Sequence, residues 1–302
     1  MDRYKKTKIV SILGILANIF LLIIKGIIGV ISNSRSMIAD AFNSAGDIFS
    51  SVMTYIGNKI SSKEADEDHN LGHGKAEYIY SLLISLGMIT LSLNEIKNST
   101  LSIIKHKELT FSIWLVVVCI TTIIIKFLLY LYTKNEYKKT KNILILANSK
   151  DHRNDCLITT LNLLSIVLSK EGLYFIDGIA GILISMWILL TGINIFKESY
   201  DVLMDKSIDE NTKNEVLKII DRHKEVLKVN HFNSTPVGYK YQISFTIFVD
   251  GNLSTFESHN IANTLEREIE KEVEEIYLSV IHVNPMNIKW NNKKNKKYVI
   301  IE

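Results

Sequence analysis

Hydropathy along the chain changes character once. Between residues 9 and 196 long apolar runs alternate with short polar breaks, whereas from Ser207 onward apolar residues are scattered among Lys, Glu, Asn and Asp. The first region predicts membrane-spanning helices and the second a water-soluble domain. The apolar runs fall at 9–31, 37–60, 78–96, 111–132, 143–168 and 174–196, which predicts six spans. Lys25 interrupts the first run and is expected to snorkel or to face a polar neighbour.

The second and fifth runs break the apolar pattern. In the second, Asp40, Asn43 and Asp47 stand at i, i+3 and i+7, one stripe of a helix, with Ile38, Phe42, Phe49 and Val52 around the rest. In the fifth, Lys150-Asp151-His152-Arg153-Asn154-Asp155 sits between Ile143 to Ala147 and an apolar stretch from Cys156. Asp151 and Asp155 are four residues apart and share a helix face, while His152 and Arg153 point elsewhere. Carboxylates at membrane depth are costly, so they face the protein interior and serve ion or proton traffic. A short core helix with a solvated charged start is the plainer reading of the fifth run alone. The surrounding spans argue against it.

After Ser207 the pattern predicts an amphipathic helix at 211–223, strands at 227–234 and 239–249, a second helix at 255–274 and a strand at 277–283. The middle strand alternates as Tyr241, Ile243, Phe245, Ile247 and Val249. The order αββαβ suggests a two-layer α+β domain with its helices on one face of the sheet. The expected organisation is a six-span transmembrane domain at 1–206, a soluble domain at 207–288 and a basic tail at 289–302 that is solvated or meets anionic lipid.

Charge and composition narrow the classes. A formal net charge of +3, with no aromatic-basic motif, argues against nucleic acid as a partner. The two cysteines, Cys119 and Cys156, both lie in apolar segments, so neither a disulfide framework nor a cysteine zinc site is expected. The first apolar run is too long for a cleavable signal peptide and lacks a small-residue cleavage site. Basic residues gather before the first span (Arg3, Lys5, Lys6, Lys8), between spans four and five (134–141) and after span six; the alternate loops offer only Arg35, Lys105, Lys107 and Lys170. Positive-inside bias therefore predicts a multi-pass protein of the cytoplasmic membrane with both termini and the soluble domain in the cytoplasm.

If spans two and five pack side by side, Asn43, Asp47, Asp151 and Asp155 converge as a carboxamide and three carboxylates. Such an all-oxygen site suits Mn²⁺, Mg²⁺ or Ca²⁺ better than zinc, which favours nitrogen and sulfur. Hydrogen bonding between the two helices is the alternative. Asp40 would support these ligands from one turn earlier, and Asp177 would mark a helix start. The segment 61–75 is dense in ligand types: Glu64, Asp66, Glu67, Asp68, His69 and His73.

Three stretches carry a family resemblance: Ser36-Met37-Ile38-Ala39-Asp40-Ala41-Phe42-Asn43-Ser44-Ala45-Gly46-Asp47, the block Glu64 to Glu77 with Gly72-His73-Gly74-Lys75-Ala76-Glu77, and Lys150 to Asp155. Together they resemble the cation diffusion facilitators over nearly the whole chain, including the six-span plan and a cytoplasmic ferredoxin-like domain. The resemblance implies a transport site at Asn43, Asp47, Asp151 and Asp155. Zinc members carry His-x-x-x-Asp on the fifth span; here Asp151 takes the first place and His152 follows one residue later, as in the manganese-exporting branch. A rotation of about 100° per residue turns His152 off the Asp155 face. The resemblance also implies a second metal site at Asp66, His69 and His73, with helix-start hydrogen bonding as the alternative there, and a salt bridge between Lys75 and Asp205. His231, His259 and His282 stand where some relatives hold a binuclear cytoplasmic site. Asn284 replaces an aspartate of that pattern and the strand 241–249 lacks a histidine, which weakens the expectation.

The resulting expectation is a homodimeric secondary-active transporter, not an enzyme, that exports a divalent cation against protons by alternating access. Mn²⁺ is favoured as the transported ion, Zn²⁺ is possible, and no resident cofactor is expected. Its partners are the lipid bilayer, the metal ion, protons and a second copy of the chain. Export of Zn²⁺, Fe²⁺ or Co²⁺ through the same fold is the alternative, and a membrane metal sensor is the alternative of another class. A membrane metalloenzyme finds no His-Glu-x-x-His or nucleophile motif to support it.

Overall fold

The computed structural model describes residues 2–31, 35–105, 113–168 and 174–286. The chain forms two compact units, Met1–Asp201 and Val202–Glu302.

The first unit is built from α1 (Asp2–Ile31), α2 (Arg35–Ser61), α3 (Ala76–Lys105), α4 (Ile113–Thr140), α5 (Ile143–Leu168) and α6 (Tyr174–Leu203). Four of these helices contain stretches long and apolar enough to cross a membrane: Arg3–Ile28, Ala76–Leu101, Ile113–Thr140 and Gly181–Leu203. Helices α2 and α5 carry the polar residues instead. Along α1, Thr7, Val10, Ser11, Asn18, Leu21 and Lys25 are buried at helical spacing, while Leu16, Ile23 and Ile27 face outward. Lys25 therefore faces the interior and does not snorkel. On α2 the buried stripe is Ser44, Asp47, Ser51, Thr54 and Asn58. A Cβ on Gly14 would come 2.8 Å from Ser51 Oγ, so glycine permits the close α1–α2 approach.

Helix packing brings the chemistry-bearing elements together. α2 packs on α1, α3 and α5, and α4 packs on α1 and α5. The segment 134–141, expected to connect spans four and five, is instead helical as far as Thr140. Glu136 explains the continuation: it lies within 3.6 Å of Lys6 and 3.1 Å of Lys139, so charged side chains pair along the last turns of α4. Only Lys141 and Asn142 join the two helices, with Lys141 in the left-handed region at φ 51°. Asn142 Oδ1 accepts from the Leu144 N–H at 2.8 Å and starts α5.

One end of the bundle is tied by charge. Arg3 donates to both carboxylate oxygens of Glu77, at 2.5 and 2.6 Å, and to the Thr140 carbonyl at 3.0 Å. Glu77 also accepts from Asn142 at 3.1 Å and Ser61 at 3.4 Å. The start of α1, the end of α2, the start of α3, the end of α4 and the start of α5 thus share one end, as serial crossings require.

The second unit contains α7 (Glu210–Ile220), β1 (Lys228–Val237), β2 (Lys240–Asp250), α8 (Thr255–Glu272) and β3 (Ile276–Met286), the expected αββαβ order. The sheet order is β1-β2-β3, with β1 antiparallel and β3 parallel to β2. Alternate residues of β2, Ile243, Phe245, Ile247 and Val249, are buried against Val216, Ile219 and Ile220 of α7 and Leu265 and Ile269 of α8. Asp209 caps α7, and Ser254 with Glu257 forms a capping box on α8. The tail beyond Met286 lies outside the described residues.

Candidate metal centre

Asp47 on α2 and Asp151 and Asp155 on α5 each offer a carboxylate oxygen, and these oxygens lie within 4.8 Å of one another. Asp47 is 6 % exposed and Asp151 5 %, while the Asp155 side chain is 21 % exposed, so the cluster is largely but not wholly shielded from bulk solvent. The spacing that put Asp151 and Asp155 on one face is realised by α5, and the α2–α5 packing supplies Asp47. Asn43 lies on α2 one turn before Asp47, but its side chain, like those of Asp40 and Asp177, lies outside the described residues.

The neighbours of Asp151 turn away from the cluster. His152 is fully buried with its Nε2 about 4.0 Å from where a Cβ on Gly14 would stand, so it faces α1. Arg153 lies over the Trp187 ring at 4.3 Å and donates to Thr191 Oγ1 at 3.2 Å, so it faces α6. The group of converging ligands therefore consists of oxygens and contains no imidazole. That donor set fits hard cations such as Mn²⁺ and Mg²⁺.

Sequence reasoning missed Lys126. This residue of α4 is 1 % exposed, and its ammonium donates to Asp47 Oδ2 at 2.6 Å and to Asp155 Oδ2 at 2.5 Å. Among the described residues Asp151 Oδ2 accepts no hydrogen bond. The available signal was a lone charge deep within the apolar run 111–132, which membrane cost alone marks as functional.

A second group gathers in the segment before α3. His69 N–H donates to Asp66 Oδ1 at 2.7 Å, His69 Nδ1 lies 3.2 Å from the same oxygen, and His73 Nε2 lies 3.4 Å from Asp66 Oδ2. Gly72, at φ +75°, makes the turn that brings His73 back toward Asp66. The ligand atoms of Asp66, His69 and His73 lie within 4.8 Å of one another, on an exposed segment. Its donor set of two imidazoles and one carboxylate suits a zinc-like ion. The His69 backbone N–H, foremost, holds the Asp66 carboxyl below the usual aspartate range.

The remaining sequence candidates are spread out. His231 sits on β1 at a bulge with φ 51°, His259 on α8 bonds Asn263 at 3.0 Å, and His282 on β3 pairs with Thr246 of β2. β1 and β3 flank opposite sides of β2, which places His231 and His282 about 10 Å apart across the sheet. Among the described residues, the two clusters above are the places where three His, Cys, Asp or Glu ligands converge. Lys75 belongs to the first unit and Asp205 to the second.

Comparison with known proteins points the same way for both units. The family described as the cation efflux transmembrane domain matches residues 11–204, and that described as the cation efflux protein cytoplasmic domain matches residues 208–286. The manganese efflux system protein MneS of Bacillus subtilis is 31 % identical over 292 residues, covering 96 % of this chain and all of that protein. MneP of the same organism is 26 % identical, covering 94 % of this chain and 98 % of its own length. The cation-efflux pump FieF of Shewanella oneidensis is 26 % identical, covering 93 % and 95 %.

Proposed function

We propose that this chain, which belongs to the cation efflux family of multi-pass metal-cation exporters, moves Mn²⁺ out of the cytoplasm in exchange for protons. The observation that carries the reading is the buried group of Asp47, Asp151 and Asp155, whose donors are all oxygen. Asn43, one turn from Asp47, would add a neutral oxygen and reduce the charge of the site. The names of MneS and MneP, both aligned over nearly their full length, support the same ion.

A carboxylate holds either a metal ion or a proton, so loading the site releases protons and reprotonation expels the ion. Asn43 cannot titrate, which leaves Asp47, Asp151 and Asp155 to carry the coupling. Rocking of the bundle about these residues would expose them to each side in turn. The basic residues in the first turns of α1 and along the end of α4 support an orientation with both termini in the cytoplasm of a cell membrane. The αββαβ unit would join two copies, and Lys75 and Asp205 would form a salt bridge. Asp66, His69 and His73 would hold a second, zinc-like ion; His231, His259 and His282 would hold metal only with further ligands.

The test is Mn²⁺ uptake into proteoliposomes carrying a trapped pH dye. The reading expects Mn²⁺ movement with proton counter-flow, both lost in Asp47→Asn and Asp155→Asn. Mn²⁺ movement without a pH change would refute the antiport, and flux that survives both substitutions would refute the site.

A further inference from the structure

The structure assigns Lys126 the part of a tethered cation that competes with the transported metal ion for Asp47 and Asp155. This rests on the transport-site reading above and deepens it. The ammonium donates to Asp47 Oδ2 at 2.6 Å and Asp155 Oδ2 at 2.5 Å, from a side chain that is 1 % exposed. These are charge-assisted contacts at the short end of their range. A hard divalent ion would take the same two oxygens at roughly 2.0–2.2 Å. Two cations cannot share that position, because at such separations in a poorly solvated interior their repulsion is severe. Metal entry therefore requires the Lys126 side chain to withdraw, and its return helps to push the ion out.

A fixed structural role makes the opposite prediction. Were Lys126 only a pin that holds α4 to α2 and α5, its loss would disorder the carboxylates and weaken metal binding. As a competitor, its loss strengthens binding, because the ion no longer has to break two ammonium–carboxylate contacts. The sign of the change separates the two roles. Flux should respond differently from affinity: an ion held more tightly leaves more slowly, so turnover falls while binding improves.

The experiment is Mn²⁺ binding to the purified full chain, followed by the resonance of free Mn²⁺. The parent and every variant carry Asp66→Ala, so that the segment before α3 does not contribute. Lys126→Met and Lys126→Gln should each bind Mn²⁺ at least about tenfold more tightly than the parent. Lys126→Arg, which keeps the charge, should stay close to the parent. Thermal unfolding identifies any variant that fails to fold, and Gln, which keeps a donor, covers the case in which Met does so. Equal or weaker binding in a folded Lys126→Gln chain overturns the competition. The parent with Asp155→Asn tests the underlying site separately: lost binding there, together with unchanged binding in Lys126→Gln, refutes the role of Lys126 and leaves the transport site standing. Binding indifferent to Asp155→Asn refutes both.

Discussion

The two units bury different mixtures of side chain: the second has an apolar core, whereas the bundle buries many polar and charged residues beside its apolar clusters. The second unit hides Ile243, Phe245, Ile247, Val249, Leu265 and Ile269 and turns its charges outward, as a protein folded by water does. The bundle hides Asn18, Ser51, Thr54, Asn58, Lys126, Asn148, Asp151 and His152, and exposes Leu16, Ile23, Leu128 and Leu183. With lipid tails outside, apolar burial gives the bundle no net hydrophobic drive, so close packing and contacts among hydroxyls, amides and charges hold its helices together. Asn148 donating to Thr54 and Asn142 donating to Glu77 are examples. A transporter gains from this arrangement. Contacts between polar groups can be exchanged as the bundle rocks, and an ion can take the place of a side-chain partner.

That contrast can be broken in order of expected effect. Asp47→Ala leaves Lys126 its contact with Asp155, so it should cost the bundle its function far more than its fold, with Mn²⁺ flux falling at least about 100-fold in proteoliposomes. Glu77→Ala leaves the Arg3 guanidinium among buried neighbours without its carboxylate, and should destabilise the bundle by about 3–5 kcal/mol, read by thermal unfolding in detergent. Ile247→Ala should cost the second unit about 2–5 kcal/mol through a cavity, read as faster amide exchange along β2, with exchange in α1–α6 unchanged. Ser254→Ala removes the cap of α8 and should cost about 1 kcal/mol, confined to the amides of its first turn.

The smallest effect belongs to Asp66. Its carboxyl is held below the ordinary aspartate range, chiefly by the His69 N–H. A group depressed on folding lends order above its unfolded value and loses it as the pH falls through the folded one. Protection of the His69 amide should therefore persist at neutral pH and fade in acid, and Asp66→Asn should remove that acid dependence.

Much of this was legible in the sequence because spacing is a local property. Asp151 and Asp155 share a face by helical period alone, and β2 announces its buried side by alternation. The lengths of elements were less legible. α4 outlasts its apolar run because Glu136 pairs with Lys6 and Lys139, and hydropathy marks the membrane's edge and not the helix's end. β1 runs past 234 and through Pro236, and β3 includes Pro285; both are edge strands, where a missing N–H is tolerated. Lys126 was invisible as a partner because its contacts, to Asp47 and Asp155, lie 79 and 29 residues away. The packing of both α4 and α2 on α5 brings them together.

On this reading, a cluster of oxygens without imidazole sets the transported ion. The most direct test compares Mn²⁺ and Zn²⁺ flux under a pH gradient in proteoliposomes of the parent and of Asp151→His. Mn²⁺ flux is expected in the parent and a shift toward Zn²⁺ in the variant, since an imidazole would then face Asp155. Strong Zn²⁺ flux without Mn²⁺ flux in the parent would contradict it.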